Sequence, residues 1–240
     1  MKNSTTILIA DTETTGLSPA DRVCEFAYAL CEYNFDSLEL RVLSLGSSLI
    51  NPGVPIPAAV SAFHGITDEM VANAPTLEDY IDSQSLKGTF DYVGGHNYVR
   101  FDKRYLTMLE PTEGYVDTLW ASRAMFPDIS HKLMEMVAHF EREGDPIMLP
   151  YTADTDAAHR AGFDTANTVG LLAKFLRMPY AWEALTVEPL PTKMPFGKNK
   201  GKTFEWLRDN DPAYVDWYVN KTENPDSRII AAMKKAGCRI

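Results

Sequence analysis

The sequence predicts an α/β protein: a mixed sheet flanked by helices, with a small basic and aromatic appendage towards its C-terminal end. Three observations carry this expectation. Within residues 1–50 there are three apolar, β-rich runs separated by short polar turns. From there to about residue 176, short apolar runs alternate with helical stripes. A stretch broken by Pro179, Pro189, Pro191 and Pro195 then leads into a segment of different charge. Strands first, followed by strand and helix in alternation, give a mixed sheet covered by helices. The expected organisation is a domain over 1–177, a linker over 178–192 and a small module over 193–240.

Taken in order, Ile7-Leu8-Ile9-Ala10 is a buried strand that runs into Asp11 and Glu13 and ends at the turn Thr14-Thr15-Gly16. Val23 to Tyr33 and Leu38 to Ile50 follow as the second and third strands of an antiparallel meander. Asn51-Pro52-Gly53 breaks the pattern. Thr67 is placed to cap a short helix with Asp68 and Glu69 in its first turn, and Thr76 opens another that reaches about Gln84. Phe90 to Asn97 reads as a strand, Tyr98 to Leu109 as the helix after it, and Val116 to Leu119 as a further short strand. Leu133, Met134, Val137, Ala138 and Phe140 give a helical stripe over 131–142. A long helix over 157–176 turns Ala161, Thr165, Thr168, Leu172 and Phe175 inward. In the appendage, Tyr214, Trp217 and Tyr218 fall at i, i+3 and i+4 of one helix.

Composition narrows the class. With 45% hydrophobic and 23% charged residues and no low-complexity run, the chain is globular rather than disordered. Too few apolar residues follow Met1-Lys2-Asn3-Ser4 for a secretory leader, and no apolar run approaches membrane-spanning length, so a cytoplasmic protein without a membrane partner is expected. Cys24, Cys31 and Cys238 are odd in number and lack metal-type spacing, which points to packing in a reducing compartment. A formal net charge of −10 argues against a uniformly phosphate-binding surface. The charge is uneven, however: from residue 191 onward there are ten Lys and Arg against six Asp and Glu. Lys198, Lys200 and Lys202 alternate there around Gly197 and Gly201, with Phe196, Phe204 and Trp206 close enough to pack beneath them or to stack on bases.

The chemistry begins at Asp11 and Glu13. Residues i and i+2 of a strand share a face, and two carboxylates a few ångströms apart repel unless a cation or a shared proton lies between them. Magnesium or manganese suits such an all-oxygen site. Two more acidic positions sit where other elements lead into helices: Asp102, after His96-Asn97-Tyr98-Val99-Arg100-Phe101, and Asp164, after His159-Arg160-Ala161-Gly162-Phe163.

These blocks, Asp-x-Glu, then His-Asn followed by Asp, then His-x-x-x-x-Asp, resemble those of the DEDD-type 3′→5′ exonucleases of the RNase H-like fold. The histidine five residues before the last Asp marks the histidine subgroup. In the middle block Asp102 lies five residues after Asn97, where many members have four. The resemblance spans roughly residues 6–176, includes His64-Gly65-Ile66-Thr67, and continues in the Phe-Gly-Lys-x-x-Gly-Lys segment at 196–202. It implies a two-metal site, with two Mg²⁺ or Mn²⁺ per active site held by Asp11, Glu13, Asp102 and Asp164 and with His159 as general base. It also implies binding of the terminal nucleotide by Thr12, Thr14, Thr15, Leu17, His64 and Asn97, with Lys198, Lys200 and Lys202 as auxiliary contacts to the strand. The expected substrate is the 3′ end of DNA, mainly single-stranded, released as nucleoside 5′-monophosphates. An RNA-directed relative and a polymerase-associated proofreading subunit are the alternatives, and an RNA partner is compatible with the same residues.

Overall fold

Residues Ser4–Thr14 form β1, and the computed structural model describes the chain over residues 2–88, 90–149 and 159–240. The chain divides into two units, Met1–Val187 and Glu188–Ile240. In the first, β1 is joined by β2 (Val23–Asn34), β3 (Glu39–Leu49), β4 (Tyr92–Gly95) and β5 (Gly114–Asp117) in the order β3-β2-β1-β4-β5. The β1–β2 and β2–β3 pairs are antiparallel, and the β1–β4 and β4–β5 pairs are parallel. The helices of this unit are α1 (Ala58–His64), α2 (Asp68–Val71), α3 (Leu77–Ser83), α4 (Thr118–Met125), α5 (Leu133–Arg142), α6 (Ala161–Phe175) and α7 (Ala181–Thr186).

Side-chain alternation along β1 decides where the carboxylates emerge. Ile7 and Ile9 pack with Val169, Leu172 and Phe175 of α6, whereas Leu8 and Ala10 pack with Phe26, Ile81, Tyr98 and Leu106 in a second core. Asp11 and Glu13 continue the Ile7 and Ile9 register, so they leave the sheet on the side that α6 covers. The register of β1 against β2 shifts between Glu13 and Thr14, and the strand ends there. Parallel β4 brings its own end close by. A Cβ on Gly95 would stand 2.6 Å from the Ala10 carbonyl oxygen, so only glycine lets β4 run this near.

Asp91 fastens the opposite end of the same strand pair. Its carboxylate accepts from Thr6 N at 2.8 Å, Thr5 Oγ1 at 3.0 Å and Lys2 Nζ at 2.6 Å. Partial burial alone would raise its pKa, but these donors outweigh it and hold the carboxyl at about 2, against an ordinary 3.8. A folded pKa below the unfolded one gives stability that is present above about pH 4 and lost as pH falls through the folded value. We expect Asp91→Ala to cost about 1 kcal/mol at pH 7, discounted for the exposed Lys2 ammonium, and the deficit to vanish towards pH 2. Urea midpoints that match the unaltered chain at pH 7 would refute this role.

Three elements differ from the sequence expectation. Tyr98 to Leu109 is not a helix but a series of turns around one 3₁₀ turn, Asp102–Arg104. Tyr98, Asp102, Leu106 and Leu109 are all buried, as helical spacing suggests, but the Asp102 carboxylate is bonded to β1, and that tertiary anchor sets the local path. The fifth strand ends at Asp117, not Leu119, because the Asp117 carboxylate accepts from Leu119 N and starts α4, a helix that the apolar run concealed. In the expected linker, α7 places Ala181 and Leu185 in the core and stacks Trp182 on Tyr33 at 5.9 Å. Smaller differences follow the same logic. Thr67 stands at the N-cap of α2 but its hydroxyl bonds Glu69, and α5 buries Met136 while Met134 is exposed. The long helix begins at Ala161, and 157 and 158 lie outside the described residues. Among the described residues no helix is long and apolar enough to cross a membrane. All three cysteines are free and buried.

The second unit contains α8 (Phe204–Asn210), α9 (Pro212–Lys221) and α10 (Ser227–Lys235) around Met194, Phe204, Leu207, Tyr214, Tyr218 and Met233. The turn from Met194 to Lys202 closes through Met194 N to Lys202 O and Gly201 N to Met194 O, both 2.8 Å. Gly197 and Gly201 hold φ of 72° and 81° in it. Phe204 lies in this core and is closed to stacking, and Lys198 pairs with Asp211 at 2.9 Å.

Candidate active site

Asp11, Glu13 and Asp164 each offer a carboxylate oxygen, and all three atoms lie within 4.8 Å of one another. Two come from the last residues of β1 and the third from the first turn of α6. A fourth acid, Asp102, stands outside this trio but acts on the charge of Asp11 and Glu13: it is 3% exposed, and one oxygen accepts from Thr12 N at 3.1 Å and Thr12 Oγ1 at 2.7 Å. The side chain between the two β1 carboxylates therefore tethers the fourth.

Electrostatics follow from this crowding. Burial, then Asp102, Asp164, Glu13 and Glu25, push the Asp11 carboxyl well above the usual carboxylate range. Burial and the charges of Asp164, Glu25 and Asp102 lift Glu13 to about 9, against some relief from Arg160. Asp102 rises to about 7, mainly by burial and against the Thr12 bonds, and Asp164 to about 6, mainly by burial and against His159. Three converging carboxylates with a fourth acid close enough to raise them, and without enough positive charge, are the kind of donor set that a hard divalent cation satisfies.

His159 stands at the entrance of α6 with φ +63°. Its backbone N–H bonds the Asp164 carboxylate, and its exposed imidazole lies on the Phe63 ring with centroids 4.2 Å apart. This left-handed residue is held by its neighbours. Arg160 donates Nε to both Glu25 oxygens at 3.1 Å and Nη2 to one at 2.6 Å, and Ala161 N donates to Glu25 at 2.8 Å. Glu25 is 2% exposed and faces Glu13 across the β1–β2 pair. A single pair thus pins the start of α6 against the sheet at the level of the acidic cluster.

Residues 8–172 match the family model described as Exonuclease. The chain belongs to this exonuclease family. Exodeoxyribonuclease 10 of Escherichia coli strain K12 is 28% identical over 236 residues, covering 94% of this chain and 96% of that protein, so the likeness extends through the second unit. A solved structure described as exonuclease X in complex with 5′ overhanging duplex DNA aligns at 27% identity and TM-score 0.52, over 70% of this chain and 89% of that one. An exonuclease I structure aligns with TM-score 0.55 at 18% identity, over 75% of this chain and 42% of that one, a likeness of fold. The five-stranded mixed sheet with its flanking helices is the RNase H-like fold of these nucleases.

In this exonuclease the remaining expected site residues divide into those at the cluster and those turned away from it. The Thr14 hydroxyl donates to Gly16 O at 2.6 Å, and the Thr15 hydroxyl accepts from Arg22 N at 3.0 Å, so both serve the turn after β1. Leu17 at the tip of that turn is 81% exposed. His64, expected to touch substrate, is buried: its Nδ1 accepts from Ile66 N at 3.0 Å and its Nε2 faces Cys24 Sγ at 3.7 Å. It closes a small core with Ile56, Ile66 and Val71 nearby. Asn97 has φ +74° and donates its N–H to Asp117, while both His96 nitrogens are bonded, one to Thr118 Oγ1 and one to His131 O. Lys198, Lys200 and Lys202 belong to the second unit and are described with it. Sequence reasoning passed over Glu25, Arg160 and Phe63. The run Val23–Tyr33 holds two glutamates, and Glu25, set between Cys24 and Phe26 in its most apolar part, was the signal for the first.

Proposed function

We propose that the chain is a metal-dependent 3′→5′ exodeoxyribonuclease that removes nucleoside 5′-monophosphates from single-stranded DNA ends. One observation carries the reading: three mutually repelling carboxylates within 4.8 Å, with the His159 imidazole beside the third. Asp11, Glu13 and Asp164 would hold one Mg²⁺ or Mn²⁺, and Asp11 with Asp102 a second. When bound, the ions neutralise charge on the phosphate under attack and make water a stronger acid. The imidazole of His159 accepts a proton from the attacking water. As the new P–O bond forms, the bond from phosphorus to the 3′ oxygen of the preceding nucleotide breaks, and that oxygen takes a proton from solvent, so the shortened strand keeps a 3′ hydroxyl. Phe63 backs the imidazole and restricts its rotation. Glu25 and Arg160 fix the left-handed turn that carries it. Leu17 has free apolar surface to set against the terminal base, while the Thr14–Gly16 backbone faces the same end of the strand.

The cofactor assignment makes a pH-dependent prediction. Folded-state pKa values of about 9 for Glu13, 7 for Asp102 and 6 for Asp164 exceed the ordinary 4.5, 3.8 and 3.8. At these groups the folded chain then binds more protons than the unfolded one, so without metal the cluster opposes folding least below about pH 4 and increasingly as pH rises towards 9. Mg²⁺ or Mn²⁺ should reverse the trend, raising Tm more at pH 8.5 than at pH 5.5. A Tm in EDTA that stays flat over this range, and that neither ion moves, would count against the site. The function itself is tested with matched end-labelled DNA and RNA strands and either ion. Products shortened one nucleotide at a time from the 3′ end of DNA are expected. Loss from the 5′ end would overturn the polarity, and preference for RNA would overturn the substrate.

A further inference from the structure

In the unit Glu188–Ile240 a cavity of about 430 Å³ is lined by Phe196, Lys198, Tyr214, Trp217, Tyr218 and Thr222, among others. We propose that it takes one unstacked base of a single-stranded DNA, with neighbouring phosphates on the lysines of the Gly197–Gly201 turn. The proposal rests on the reading of the chain as a DNA exonuclease and assigns that reading a second contact with the strand.

Three features carry it. First, the aromatic rings of α9 and the turn do more than fill the core. Tyr214 and Tyr218 are buried, whereas Phe196 and Trp217 are 48% and 47% exposed. Each exposed ring is backed by a buried one: Trp217 lies 5.4 Å from Tyr214 and Phe196 lies 6.0 Å from Tyr218. Open aromatic faces whose orientation is already fixed cost little entropy to stack upon, and every base offers a π-face. Second, the charge favours a polyanion. The acid in the lining, Asp211, is committed: it receives Lys198 Nζ at 2.9 Å, Asn199 Nδ2 at 3.0 Å and Tyr214 N at 3.2 Å. Lys198 sits 5.3 Å above the Tyr214 ring, exposed Lys200 follows on the same turn, and Lys202 lies 4.7 Å above Trp206. These lie in a segment with ten Lys and Arg against six Asp and Glu, in a chain that is −10 overall. Third, Thr222 Oγ1 in the lining is buried without a hydrogen-bond partner, a polar group able to meet the edge of a base.

Binding of a fluorescent single-stranded oligonucleotide to the full chain in EDTA, where nothing is cleaved, tests the cavity. Trp217→Ala and Phe196→Ala should each weaken binding about 5- to 100-fold, the range for losing one base stack. Trp217→Phe should recover most of the loss, and the salt dependence should stay as in the unaltered chain, because no phosphate contact is removed. A strand of the same length built from abasic sugars should bind the unaltered chain and both variants alike. Both alanine variants binding the normal strand as tightly as the unaltered chain, with melting curves intact, would overturn the proposal. Equal weakening on the abasic strand would overturn it too, since no base is then involved. Cleavage of the normal strand by the unaltered chain with Mg²⁺ reports separately on the exonuclease reading, so the two can fail independently.

Discussion

Asp11→Asn is expected to reduce metal-dependent hydrolysis to background, a loss of roughly four orders of magnitude or more, while leaving the fold intact. Asp11 lies at the centre of the crowding, with Asp102, Asp164, Glu13 and Glu25 each raising its pKa after burial has done so. Removing its charge leaves the remaining acids without a common oxygen donor to share, and groups that act as a unit fail together. The same change should stabilise the metal-free chain by a few degrees in Tm, about 1 kcal/mol for a domain of this size, because the folded state no longer gathers four like charges. The gain should be largest at alkaline pH, where the native carboxylates are forced to ionise. Wild-type turnover by Asp11→Asn at saturating Mg²⁺ would end the assignment of the acidic cluster as the site of chemistry.

His159→Ala should behave differently. Its imidazole is exposed and contacts Phe63, and the Asp164 carboxylate is bonded by the His159 backbone rather than by its ring. The three converging carboxylates therefore stay in place, and the rise of Tm on adding Mg²⁺ should persist. The rate should fall about 10²- to 10⁴-fold, the range for a missing general base, and the pH–rate profile should change shape. If the rate falls but the profile keeps its shape, the imidazole is packing only. If the metal response also disappears, His159 belongs to the metal site.

The sequence was most informative where side-chain period and burial coincide. Ile7 to Ala10 alternate between two cores, so strand, register and the shared face of Asp11 and Glu13 could be read directly. It was least informative where one long-range bond overrides a local pattern. Tyr98, Asp102, Leu106 and Leu109 carry helical spacing and are buried, yet Asp102 answers to Thr12, ninety positions earlier. Asp117 shows the same limit: an acid inside the run Val116–Leu119 reads as strand until its bond to Leu119 N is known. That Asp11, Glu13 and Asp164 come together, with His159 next to Asp164, could be read from spacing. Glu25 and Arg160 hold the site through a pairing between β2 and the start of α6, and no spacing within either segment encodes it.

The strand order has a consequence for synthesis of the chain. β1 is flanked by β2, which follows it at once, and by β4, which begins at Tyr92. A growing chain has therefore completed the β1–β2–β3 meander while one edge of β1 is still bare, and that edge carries Ile7, Leu8 and Ile9. At about 5 to 20 residues per second, the roughly 40 residues between β3 and β4 keep it open for about 2 to 8 s. An apolar strand edge exposed for that time invites pairing with another nascent chain. With the proposed assignment of Asp164 to the metal site, hydrolysis would wait longer still, because Asp164 is translated after every strand of the sheet. A ribosome stalled before α6 would thus carry a formed sheet whose acidic group still lacks its third carboxylate.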